Sequence, residues 1–217
     1  MTVFGQSGGI PASPPEKWIH FRWRLSGNRS PGVHFTRSRK MYSHRGTVEL
    51  RFVDPRKFGL VWYGSPSSLV RDSYLGRLGQ EPQAMTSREF SRILESARGM
   101  VKPFLLRQDR IAGIGNIIAD EALWRARIHP ETQIVNLDTR ACRRLYQGIR
   151  HTIRAMLASG GTSIRNWKSP DGSAGRYQER RMIYGKAGSP CPRCGTRLLR
   201  IVVGGRGTTI CPSCQQE

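Results

Sequence analysis

Two Cys-x-x-C knuckles, Cys191-Pro192-Arg193-Cys194 and Cys211-Pro212-Ser213-Cys214, stand sixteen residues apart near the end of the chain. Each knuckle turns two sulfurs toward one point, and together they supply the four thiolates of a tetrahedral zinc ion. The stretch between them is long enough for a β-hairpin. It holds Val202-Val203-Gly204-Gly205-Arg206-Gly207-Thr208-Thr209-Ile210, with β-branched residues on either side of a glycine turn. A metal that closes both ends of a hairpin fixes its tip, and this tip carries an arginine. Four free thiols or two disulfides are the alternatives. The spacing favours one structural Zn2+ on Cys191, Cys194, Cys211 and Cys214.

An arginine presented in this way asks for an anionic partner, and the rest of the chain asks for the same. The 217 residues carry 36 basic against 15 acidic side chains, a formal charge of +21, and thirty of the basic residues are arginines. Arginine's planar fork of donors suits phosphate oxygens and base edges. Such an excess repels itself unless a polyanion offsets it. Nucleic acid is the leading partner and an anionic membrane surface the lesser one, although a GC-rich genome also enriches arginine. No stretch approaches the eighteen apolar residues of a membrane span. Four cysteines placed as metal ligands and a fifth, Cys142, in a helical pattern suit a reducing cytosol. The expected location is therefore cytoplasmic, at the nucleoid.

Along the chain the pattern changes twice. Residues 1–17 are an irregular lead-in, broken by Gly8, Gly9, Pro11, Pro14 and Pro15. Residues 18–85 form a β-rich part, with strands expected near 18–23, 46–53 and 58–63 and a turn Asp54-Pro55-Arg56-Lys57 joining the last two. The pattern turns helical after Pro66. A capping box at Thr86-Ser87-Arg88-Glu89 opens a helix to about residue 97. Further helices fit 101–106, 115–126 and 139–157. The helical part spans 86–183, and the zinc module 184–217.

Between the helices lies Gln108-Asp109-Arg110-Ile111-Ala112-Gly113-Ile114-Gly115-Asn116. Two glycines two residues apart let a tight turn feed directly into a helix. The first amides of that helix then point outward, unpaired and at the positive end of the dipole, an arrangement that binds phosphate. An ordinary glycine turn with an asparagine cap gives the same string. Its coincidence with the zinc knuckles is what sharpens the reading.

With both elements in view, the chain resembles the formamidopyrimidine-DNA glycosylase/endonuclease VIII family of base-excision repair enzymes. The resemblance lies in the glycine turn and its helix through Trp124-Arg125-Ala126-Arg127-Ile128-His129-Pro130, and in Tyr184-Gly185-Lys186-Ala187-Gly188-Ser189-Pro190-Cys191. It runs from about residue 18 to the carboxyl end. It implies an α+β protein: a partial β-sandwich-like amino-terminal domain, a helix–two-turns–helix domain and a zinc-finger hairpin. It also implies a monomer that bends damaged double-stranded DNA and fills the hole left by a flipped nucleotide. By position, Lys102 and Asn116 would hold phosphates from the helical side, and Tyr184 and Arg206 from the finger. Arg56 would pair with the orphaned base and Phe58 would wedge the stack. Leu25 would take the place of a void-filling methionine. For Phe58 alone, a core aromatic is the competing reading. The loop 169–178 resembles that of the formamidopyrimidine branch, which points to oxidised purines such as formamidopyrimidine and 8-oxoguanine.

The family's reaction starts at an amino-terminal Pro-Glu, where proline attacks the sugar and the Schiff base permits AP lyase cleavage. This chain opens Met1-Thr2-Val3-Phe4-Gly5, and neither that pair nor the family's hairpin lysine has a counterpart. Three readings stay open: a glycosylase given without its first segment, a lesion-binding homologue without catalysis, or the amine of Thr2 as a substitute nucleophile. A zinc-dependent RNA-binding protein is the alternative from another class, because phosphate contacts do not distinguish nucleic acids.

Overall fold

The computed structural model describes residues 19–25, 48–54, 57–162 and 174–216. Thr2, Arg56 and residues 169–173 of the loop lie outside them. The chain clusters into two compact units, Met1–Val61 with Ser163–Gly175 and Trp62–Thr162 with Arg176–Glu217.

In the first unit, β1 (Ile19–Leu25) pairs antiparallel with β2 (Val48–Val53), placing Trp23 opposite Leu50 and Leu25 opposite Val48. After β2 the chain turns around Asp54. Its carbonyl meets His20 Nε2 at 2.9 Å and accepts the Lys57 N–H, and its carboxylate takes the Gly59 N–H at 2.5 Å. Among the described residues, the strand expected near 58–63 pairs with no other. Asp54 takes the Gly59 amide, one that a ladder along this segment would use.

The second unit is helical with a small hairpin. It contains α1 (Pro66–Asp72), α2 (Ser87–Glu95), α3 (Val101–Leu105), α4 (Asn116–Ala126), α5 (Thr139–Ala158) and α6 (Tyr177–Arg180), then β3 (Leu199–Val203) and β4 (Arg206–Ile210). The capping box that opens α2 is complete: Glu89 N–H donates to Thr86 Oγ1, and Thr86 N–H to Glu89 Oε2 at 2.7 Å. Asp138 caps α5, and Gly160 and Gly161, both at positive φ, end it. Phe90, Leu94, Leu105, Leu123, Leu145 and Ile149 form the centre of the main core. Within that core α4 and α5 cross closely at Gly148, where a Cβ would stand 2.9 Å from Ala122 O. A second, smaller core joins Trp124 of α4 to Ile183, Cys191, Leu198 and Cys211. The helical part and the finger, separate segments in the sequence, therefore share one packed unit.

Candidate nucleic-acid interface

The four knuckle cysteines come together as their spacing requires. Their sulfurs all lie within 4.8 Å of one another, with Cys194 Sγ 3.4 Å from both Cys211 Sγ and Cys214 Sγ. A tetrahedral zinc with sulfurs at about 2.3 Å needs sulfur–sulfur edges of about 3.8 Å. No pair forms a disulfide. This donor set fits one structural zinc, which would lock the ends of the hairpin and leave no position open for chemistry.

The hairpin turns through Gly204 and Gly205, at φ 55° and 72°. Two central residues at positive φ match the right-handed twist of the strands, and glycine adopts that backbone without steric cost. Gly204 is needed twice over, because a Cβ there would lie 2.8 Å from Pro103 Cγ. The turn thus rests on α3, and Arg206, the first residue of β4, is exposed beside it.

Beyond the turn, the finger is bolted to the amino end of α4. Asn116 is the first residue of that helix, after Gly115 as N-cap, and its Nδ2 donates to Gly207 O at 2.9 Å. The first helical acceptor bond goes from Ala119 N–H to Gly115 O, so the amides of residues 116–118 are the leading, outward set. The helix terminus expected from the glycine turn and the finger arginine are in this way neighbours on one rigid body.

Lys102 requires a correction. The sequence reading gave it a phosphate, but its side chain is 0% exposed and ion-paired at 2.6 Å with Asp120 Oδ1, itself 0% exposed. Its ammonium also donates to Thr208 Oγ1 at 2.6 Å and contacts Gly207 O at 3.5 Å. Burial holds the Lys102 ammonium below its ordinary pKa, opposed by Asp120, and holds the Asp120 carboxyl above its own, opposed by Lys102. An ammonium satisfied internally has no donor for a phosphate. It tethers the finger instead.

Asp120 and Glu121 are the residues that sequence reasoning missed. Asp120 Oδ2 accepts the Thr209 N–H at 3.0 Å. Glu121, 0% exposed, accepts the backbone N–H groups of Met182, Ile183 and Tyr184 at 2.9–3.0 Å. One carboxylate thereby orders the strap that leads into the finger. Arg193, inside the first knuckle, stacks on Trp124 at 4.2 Å and donates to Trp124 O at 3.0 Å. Gln215 closes the far side, donating to Ile128 O and accepting from Cys211 N–H, both at 2.9 Å. The available signal was a pair of acids inside a helix whose neighbours Ala119, Ala122 and Leu123 are apolar.

Tyr184 is half-buried at the entry to the finger, with the Arg181 guanidinium 5.7 Å over its ring. In the other unit, Phe58 is 79% exposed, so it is no core aromatic. Leu25 ends β1.

A helix amino terminus and an arginine-tipped zinc hairpin, joined through buried polar bonds, define a helix–two-turns–helix protein with a carboxyl-terminal finger. Residues 78–168 match the family model "Formamidopyrimidine-DNA glycosylase H2TH domain", and residues 188–216 match "Zinc finger found in FPG and IleRS". The chain belongs to the formamidopyrimidine-DNA glycosylase family. Relatives include the formamidopyrimidine-DNA glycosylases of Deinococcus radiodurans, 42% identical over 77% of this chain and 61% of its own length, and of a Roseiflexus species, 36% identical over 94% and 68%. The Lactococcus lactis protein in complex with abasic-site DNA superposes with a TM-score of 0.72 at 31% identity, covering 90% of this chain and 71% of that one. The chain spans about three fifths of the length of the first of these relatives.

Proposed function

We propose that this chain binds damaged double-stranded DNA, with Asn116, Tyr184 and Arg206 on the phosphates and Phe58, Arg56 and Leu25 as the residues that probe the stack. It acts as a monomer in the cytoplasm, at the nucleoid. The observation that carries the reading is the Asn116–Gly207 bond, which sets the outward amides of α4 beside the exposed Arg206. Fixed positive groups on two elements of one body suit the regularly spaced phosphates of a backbone. An exposed Phe58 held out by the Asp54 turn suits insertion between base pairs. The relatives' complexes with abasic-site DNA support damaged duplex as the ligand.

The reaction that accompanies such binding in the family is excision of an oxidised purine followed by AP lyase cleavage. An amine attacks the sugar's anomeric carbon as the base leaves, and the resulting Schiff base opens the route to β-elimination. No described residue is assigned as that amine, and Lys102 is excluded by its burial.

Competition tests the binding. A labelled duplex with a tetrahydrofuran abasic-site analogue should be displaced by its unlabelled copy far better than by intact duplex or by RNA at equal salt. Preferential displacement by RNA would overturn the reading. Borohydride trapping on an 8-oxoguanine duplex reads the reaction separately: a covalent adduct shows catalysis, and its absence confines the function to binding.

A further inference from the structure

We propose that Lys102, Asp120 and Thr208 form a positioning network that sets where Arg206 meets a DNA phosphate, an inference that rests on the duplex-binding reading above.

The hairpin ladder sets Arg206 opposite Val203 but leaves the direction of its side chain open. Arg206 follows two glycines at positive φ and its side chain is exposed. The next three residues, however, are each held from the helical side. Gly207 O accepts from Asn116 Nδ2, and Thr209 N–H donates to Asp120 Oδ2. Between them, Thr208 Oγ1 accepts from Lys102 Nζ at 2.6 Å and donates to the carbonyl of Arg206 itself at 3.0 Å. The Thr208 hydroxyl therefore passes the grip of a buried ammonium to the backbone of the exposed arginine. Asp120 completes the network, since its Oδ1 lies 2.6 Å from Lys102 Nζ. Burial is the main cause that lowers the Lys102 pKa, and the nearby Arg206 charge adds to it. The Asp120 carboxylate opposes both.

Simple adhesion does not call for this chemistry. A buried ion pair often packs no better than apolar side chains of similar volume, whereas hydrogen bonds of fixed direction specify a register. The finger already has adhesive contacts elsewhere, in Trp124 under Arg193 and in Glu121 under the strap. What the Lys102–Asp120–Thr208 set adds is aim.

A mutant cycle on the tetrahydrofuran duplex separates aim from adhesion, with the slope of log K against log salt as the readout. In the wild-type background, Arg206→Ala should lower that slope by about one unit, for one lost phosphate contact. Thr208→Val removes the relaying hydroxyl and keeps the shape and the zinc ligands. In that background, Arg206→Ala should change the slope little, while Thr208→Ser should restore the full effect. The pair Lys102→Met/Asp120→Leu, checked for zinc content, should behave as Thr208→Val does. If Arg206→Ala costs the same slope in all backgrounds, the network does not position it and the proposal is overturned. If Arg206→Ala leaves the wild-type slope unchanged, the duplex-binding reading fails first, and the network has nothing to aim.

Discussion

Glu121→Ala is the sharpest perturbation of the joint between helix and finger. The carboxylate takes three consecutive backbone N–H groups, those of Met182, Ile183 and Tyr184, at 2.9–3.0 Å. Leaving a buried donor unmet costs about 1–3 kcal/mol. Ile183 is fully buried and its amide bears most of that cost, whereas Met182 and Tyr184 are half-buried and can recover part of it from water. The loss is then about 4 kcal/mol, from roughly 2 for Ile183 and 1 for each of the others. In a protein of this size that lowers the midpoint of the transition containing the finger by about 8–16 °C. Glu121→Gln keeps an oxygen acceptor but loses the charge that strengthens each bond, so it should cost about 1–2 kcal/mol. The assay is thermal unfolding of zinc-loaded protein, with Glu95→Ala on the exposed face of α2 as the control at about 0.5 kcal/mol or less. If both Glu121 variants melt within about 2 °C of wild type, the carboxylate does not hold the strap.

Three further outcomes follow from local geometry. Cys194→Ser should abolish stoichiometric zinc binding and unfold the hairpin, because ligation and folding are coupled in so small a module; atomic absorption and limited proteolysis read both. Gly204→Ala meets Pro103 and requires a strained φ, so it should destabilise by about 1–3 kcal/mol in urea unfolding. Thr86→Ala should cost about 1 kcal/mol as a lost helix cap. The same capping box has a pH signature: the Thr86 backbone and hydroxyl hold the Glu89 carboxyl below the usual carboxylate range. Its contribution is complete above the unfolded value of about 4.3 and disappears as pH falls through the lowered folded value, a loss that Glu89→Gln should remove from the stability profile.

The helices were legible because their ends carry chemistry of short reach. The Thr86–Glu89 box and the glycines at 113 and 115 before α4 each act within a few residues. The zinc hairpin was legible for the same reason, since spacing alone brings four sulfurs together. Lys102 was given a phosphate by its position in the family resemblance, and position carries no information on burial. In α3 Lys102 stands among Val101, Phe104 and Leu105, and only the tertiary approach of Asp120 and Thr208 makes its burial tolerable. Asp120 and Glu121 were passed over because the backbone amides they accept lie 61 to 89 residues away. The strand expected near 58–63 joins no sheet among the described residues, where Asp54 takes the Gly59 amide that a ladder would use.

The measurement closest to the central claim compares zinc-loaded with zinc-stripped protein on tetrahydrofuran-containing and intact duplexes across a range of salt. If the finger and the amino end of α4 hold one backbone together, stripping the metal should erase the preference for the damaged duplex and flatten the salt dependence by at least about one unit of log slope. Equal affinity, equal preference and an equal slope with and without zinc would contradict it.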